Sequence, residues 1–187
     1  MLFRSDDAVL ALGRIGGAQA SATFKALTSA SVDVVPALHA AQCLVDGGCD
    51  RHLKALADLT RDTTAKPEAV RAAVAAIGAI AARGDASAAA TLVTLAGTGS
   101  EAVKRDATLV FAGLALRRSS FVIEWLTGAA EDERNRAIAV LHAGFDSLEE
   151  DFAEEQFFAT ARAAYWKGAE GSSDRTVTAA LIDKLEF

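Results

Sequence analysis

The feature that most constrains this chain is a segment that returns about every 30 to 35 residues and closes each time on a small residue inside an apolar run. The clearest copies run from Glu68 to Gly78, from Glu101 to Gly113 and from Asp33 to Cys43, and weaker copies end at Gly13 and Gly144. Self-similarity at that period marks supersecondary units that cannot bury their apolar face alone and therefore stack on one another. Such an array fixes architecture more closely than function, because it is in essence a surface.

The composition fits helices. Ala and Leu dominate the apolar residues, Pro occurs only at Pro36 and Pro67, and alternating β-branched runs are scarce. In one copy Val70, Ala73, Val74, Ile77 and Ile80 fall on one helical stripe, while Ala72, Ala75, Ala76 and Ala79 fill the rest. An all-small helix lets a neighbour approach closely, which accounts for Gly or Cys at the aligned positions 13, 43, 78, 113 and 144. A large side chain there is expected to cost ~1–3 kcal/mol through overpacking. Second helices lie between the copies, with Asp50, Asp85 and the pair Ser119 and Ser120 as N-caps. Pro67 suits a first helical turn, and Gly47, Gly48, Gly84, Gly97, Gly99 and Gly128 mark the turns.

These residues resemble the HEAT-like repeat family in its short bacterial form, also seen in bilin-attaching lyase subunits. The resemblance is carried by Asp62 followed by Val70-Arg71-Ala72-Ala73 and Ile77-Gly78, by Val103-Lys104, and by Ala11-Leu12-Gly13-Arg14-Ile15-Gly16, and covers roughly residues 6–145. It implies an all-α fold, a right-handed α-solenoid of stacked antiparallel helix pairs with about ten helices. It also implies that the helix bearing the Val-Arg pair lines the concave face, its Arg joining turn acids in a ladder. Arg71 matches that position fully, Lys104 and Arg136 approximately, and Pro36 replaces the Arg in the second copy.

One continuous domain is expected, with 1–145 as the array and 146–187 as an aromatic, acidic helical cap packed on it. Met1 leads almost directly into a second-helix copy, so the first repeat lacks its outer partner. Either the chain belongs to a longer protein, or that bare end is covered by the C-terminal tail or by another subunit, a route to a homo-oligomer. Nine of the twelve aromatic residues lie between Phe111 and Trp166. Ser147 with Glu150 reads as a capping box for a helix that runs to about Lys167 and is closed by Gly168, with a last helix roughly from Arg175 to Leu185.

The net charge of −6 is unevenly placed: residues 1–93 hold nine acids and nine bases, whereas 94–187 hold sixteen and ten. Asp146, Glu149, Glu150, Asp151, Glu154 and Glu155 cluster with no base among them. That balance argues against a nucleic-acid footprint, which needs a basic stripe, and steers a basic protein partner if it steers any. The apolar runs are too short for a membrane span and the N-terminus lacks the order of a secretory signal, so no membrane is involved and a cytoplasmic location is expected. Two cysteines, Cys43 and Cys49, are too few for a disulfide scaffold, while their spacing leaves a single bridge open.

Few residues suggest chemistry. His39 and Cys43 share a helix face, and the Gly47-Gly48 turn returns Cys49 and His52 toward them, a two-Cys, two-His set suited to zinc. The spacing matches no common zinc pattern, and His39 and Cys43 align with the packing residues Val74 and Gly78, so no metal is expected. His142 lies in an Ala-rich helix without a Ser or Cys in a nucleophile turn. The acidic cluster, with Phe152, Phe157 and Phe158 interleaved, has the mixed chemistry of an interface, although acids in a first helical turn also simply favour the helix dipole. Arg71, Lys104, Arg105 and Arg136, near the starts of the repeated helices, read first as ladder or solvated residues, although a row of them could also hold a carboxylate-bearing peptide. Trp125 and Trp166 are read as core.

The expected function is therefore non-catalytic, with no cofactor: a protein-interaction module serving as adaptor, assembly factor or inhibitor. The alternatives are an enzyme subunit akin to the bilin lyases and, against the acidic balance, a DNA-binding repeat protein.

Overall fold

Proline fits a helix where its missing amide hydrogen costs nothing, and the structure places Pro67 there. The structure is a computed structural model that describes His39, residues 49–148 and residues 151–185, the side chains of 151–153 and 184–185 excepted. The repeat copies ending at Gly13 and Cys43, Pro36, the bare first helix, Glu149 and Glu150 lie outside the described residues. Among the described residues there are eight helices: α1 Cys49–Arg61, α2 Pro67–Ala81, α3 Ala86–Thr98, α4 Glu101–Arg117, α5 Ser119–Gly128, α6 Glu131–Phe145, α7 Asp151–Lys167 and α8 Ser173–Leu185. No described residue is in a strand, so the all-α class expected from the sequence stands. No described helix is long and apolar enough to cross a membrane.

Two compact units divide the chain: one extends to Thr91 and takes in Gly99–Val103, the other holds Leu92–Thr98 and Lys104 onward. In the first, α1 packs against α2. Leu53, Leu56 and Ala57 are buried on α1, and Ala73, Val74, Ala76, Ile77, Ile80 and Ala81 on α2, which is the stripe read from the sequence with Val70 left half-buried at its edge. The turn after α2 uses Gly84 at φ +96°, a left-handed conformation that a Cβ disfavours. Asp85 then caps α3, its Oδ1 accepting the Ala88 amide at 2.8 Å.

In the second unit α5 packs on α6, α7 on both α5 and α8, and α8 on α5 and α6. Its core adds buried phenylalanines to aliphatic side chains, whereas the described core of the first is aliphatic and Ala-rich. Phe157 is fully buried and meets Phe145 and Phe158 edge-on at 5.3 and 5.7 Å between centroids, the arrangement that ring quadrupoles favour. Phe111 is fully buried and meets Trp125 at 5.8 Å and 82°.

Ser119 and Ser120 are not caps. Helix α5 begins at Ser119 itself, after Arg118 in the cap position with no side-chain cap bond, and the Ser119 hydroxyl turns to the Leu116 carbonyl at 3.5 Å. The Arg118 amide is still bonded to the Leu114 carbonyl at 2.8 Å. The chain thus passes from α4 to α5 without the spacer that cap geometry needs. The Ser147 hydroxyl likewise donates back to the Ala143 carbonyl at 2.9 Å.

The repeated small residues do not share one job. A Cβ at Gly144 would stand 2.5 Å from the Cβ of Ala112 and 3.2 Å from the Thr108 carbonyl oxygen, so here the absent side chain admits a neighbouring helix, as expected. A Cβ at Gly113 would instead meet Nη2 of Arg117 at 2.9 Å. That glycine seats a guanidinium, which donates from Nε to the Gly113 carbonyl at 3.0 Å.

Candidate functional site

The turn between α7 and α8 gathers an aromatic pair and a cation. Gly168 closes α7, its amide donating to the Ala164 and Tyr165 carbonyls at 3.1 and 3.2 Å. A Cβ there would lie 3.2 Å from Ser172 Oγ and 3.3 Å from the Arg175 nitrogen, so glycine lets the start of α8 come up against the end of α7. Ser172 caps the new helix by accepting the Arg175 amide at 3.3 Å. This closure carries the Arg175 guanidinium to 4.6 Å from the Tyr165 ring centroid and 5.6 Å from that of Trp166. The two rings meet edge-on at 5.2 Å.

Two properties set this cluster apart. Trp166 is 73% exposed, the one large apolar side chain left so among the described residues. Arg175 Nε is buried with no hydrogen-bond partner, again the only such side-chain atom among the described residues. An indole exposed to water costs hydrophobic free energy, and an unpaired buried N–H costs more. Sequence reasoning missed Arg175 and assigned Trp166 to the core. Helical phase was the available signal: Trp166 lies nine residues beyond buried Phe157, about half a turn round the helix at 100° per residue.

The basic residues nominated by sequence fall on three helices, α2, α4 and α6. Arg71 is exposed on α2 and Lys104 half-buried on α4, and each is already engaged with another group. Arg105 pairs at 3.7 Å with Asp106, its neighbour in sequence, and Arg136 is exposed on α6. Arg134, two residues earlier, is bound to backbone rather than to an acid: it donates from Nε to the Leu126 carbonyl at 3.1 Å and from Nη2 to that of Ala129 at 2.8 Å. A cation is favoured at those carbonyls because they end α5. Asp62, a turn acid of the implied ladder, is taken up locally: its Oδ1 accepts the Thr64 amide at 2.8 Å and the Thr64 hydroxyl at 2.7 Å. Those bonds hold its carboxyl below the usual aspartate range.

Of the acidic cluster, Asp146 and Glu155 are exposed and Glu154 is half-buried and engaged. Asp151 lies in α7, its side chain outside the described set. Phe157 and Phe158 are buried and so contribute nothing to an acidic-aromatic interface, because the stripe that packs α7 takes them inward.

His39 and His52 do come together, Nδ1 to Nδ1 at 3.0 Å. Cys49 is disulfide-bonded, and Cys43, the chain's only other cysteine, lies outside the described residues. A disulfide sulfur is not the thiolate that binds zinc. His52 is buried and its Nε2 accepts from Arg51 Nε at 3.3 Å, so the pair belongs to the packing of the first unit. His142, the third histidine, is exposed and faces Asp146 at 3.3 Å.

A shallow cleft of about 320 Å³ opens where α4 passes into α5, lined by Leu116, Arg117, Arg118, Ser119, Ser120, Phe121, Gln156 and Thr160. Thr160 spends its proton on the Gln156 carbonyl at 2.9 Å and Arg117 is folded back on Gly113. Compared with protein-family models, curated proteins and solved structures, the chain finds no match.

Proposed function

We propose that this chain is a non-catalytic protein-interaction module, acting as adaptor, assembly factor or inhibitor, whose helices stack as a HEAT-like, right-handed solenoid of about ten helices. The exposed indole of Trp166 carries the reading. The second unit buries Phe111, Phe145, Phe157 and Phe158 yet holds its second tryptophan outward beside an arginine, and Trp, Tyr and Arg are the residue types that dominate protein–protein hot spots. The helical framework supports the same reading, since a preformed surface binds with little ordering cost. The excess of acids over bases supports a protein partner and disfavours nucleic acid.

The disulfide at Cys49 bears on where the module works. Such bonds persist in oxidising compartments and are rare in the cytoplasm, so the disulfide favours an oxidising compartment over the cytoplasmic location expected from the sequence.

Affinity capture of the tagged protein from its native extract at low and high salt, with mass spectrometry, tests the function. A stoichiometric partner is expected. A basic partner lost at high salt points to the exposed acids, and a salt-resistant one to apolar contact. Absence of any stoichiometric protein, with a bound small molecule instead, overturns the reading in favour of an enzyme subunit.

A further inference from the structure

Every described carboxylate leaves Arg175 alone. Asp174 precedes it and Glu170 lies in the same turn, both exposed, yet neither is engaged with it. Nε is buried without an acceptor. The two terminal nitrogens, which have no partner either and are not enclosed, therefore remain open to solvent. With its central carbon 4.6 Å over the Tyr165 ring and 5.6 Å from the centroid of Trp166, the guanidinium is held by cation–π attraction, which supplies no oxygen acceptor for its N–H donors. Its open edge is the pair of Nη groups, a fork whose spacing matches the two oxygens of a carboxylate. Because the arginine is already ordered, docking a carboxylate there loses little side-chain freedom. The indole beside it offers an apolar face at the same spot, 73% exposed.

Resting on the protein-interaction reading, we propose that Trp166, Tyr165 and Arg175 form the docking point for a partner segment that presents an Asp or Glu carboxylate next to an apolar or aromatic side chain. The carboxylate takes the Nη edge of Arg175 and the apolar group lies on Trp166. Charge complementarity selects this occupant: the patch presents a guanidinium that no described carboxylate pairs with, and a basic segment would meet it with like charge.

The probe is a blocked peptide that alternates Glu with Phe and Leu, compared with the same peptide carrying Gln for each Glu and with inorganic phosphate. Tryptophan emission is followed in a Trp125→Phe background, so that Trp166 alone reports. Saturable binding of the Glu peptide with a shift in Trp166 emission is expected, the Gln peptide being about tenfold weaker or worse. Trp166→Ala and Arg175→Lys should each weaken the Glu peptide about tenfold. Trp166→Ala removes an exposed side chain, and unchanged circular dichroism and urea midpoint verify that it stays folded. Equal binding of Glu and Gln peptides, no binding up to about millimolar peptide, or affinities untouched by both variants overturns the proposal. So does a shift with phosphate alone, or self-association abolished by Trp166→Ala, which assigns the patch to a second copy. If these arms fail while a partner is still captured from extract and binds Trp166→Ala normally, the interaction reading stands and only this patch is removed.

Discussion

The α1–α2 pair and the α5–α8 group bury their apolar faces with different side chains, and they differ in what they leave outside. On α2 the buried set is Ala73, Val74, Ala76, Ile77 and Ile80, small or aliphatic groups that fill space whichever way a neighbouring backbone approaches. In the second unit Phe111 meets Trp125 edge-on, and Phe157 so meets Phe145 and Phe158, a geometry that fixes each ring relative to its partner. Aromatic packing of that kind concentrates stability in few residues and has no room for a ring out of phase. Trp166 is that ring. Small-residue packing distributes the contribution and strands nothing large.

Removing the central ring should give the largest effect. Phe157→Ala deletes a fully buried side chain with two aromatic neighbours, and a loss of ~3–5 kcal/mol in urea unfolding is expected. Ile77→Ala, at the equally buried centre of α2, should cost about 2–4 kcal/mol. Equal losses would show that the two cores respond alike and would break the contrast. A shared transition in both variants, followed by tryptophan emission and circular dichroism, would show that the units unfold together.

A finer test lies within the second unit. Gly144→Ala drives a methyl into Ala112 and the Thr108 backbone, neither able to swing aside, and should cost ~1–3 kcal/mol by overpacking. Gly113→Ala meets only the end of the Arg117 side chain, which can rotate off the Gly113 carbonyl. Its net cost should stay below about 1 kcal/mol, since the lost hydrogen bond is offset by the better helix propensity of alanine. Similar losses at the two sites would restore a common packing role for the repeated small residue.

These pairs also show what the sequence makes legible. The stripe of α2, Pro67 at its start, the Asp85 cap and the closure of α7 by Gly168 were readable because each depends on a few neighbours in the chain. Gly113 and Gly144 look equivalent in sequence because alignment reports size, whereas the partner that fills the space, Arg117 for one and Ala112 for the other, is set by tertiary packing. Trp166 was placed in the core on residue type alone, when its helical phase relative to Phe157 already pointed outward. Arg175 carried no signal of its own: its role depends on how tightly the Gly168 turn closes and on which carboxylates fail to reach it. His39 and His52, thirteen residues apart, do meet; the sequence offers them with Cys43 and Cys49 as a zinc set but favours packing, and the disulfide at Cys49 takes that sulfur out of any such set.

That histidine pair supplies the smallest effect, and it acts in the first unit alone. His52 Nε2 accepts from Arg51, which assigns the ring proton of neutral His52 to Nδ1, so Nδ1–H donates to His39 Nδ1. Burial lowers the His39 pKa below its ordinary 6.5, because the half-buried ring resists charging. Protonating His39 would also put a hydrogen on the nitrogen that must accept, setting two donors face to face. The unfolded chain therefore takes up its proton at higher pH than the folded one, and stability rises with pH across the interval between the two values. The contribution is complete above about pH 6.5 and is lost as pH falls through the lowered folded value. Urea midpoints measured from about pH 8 down to about pH 5 should fall in that window, and His39→Gln, which titrates nowhere in it, should remove this part of the slope. A slope unchanged by His39→Gln would assign the acid sensitivity to other groups and leave the histidine contact as packing without a pH signature.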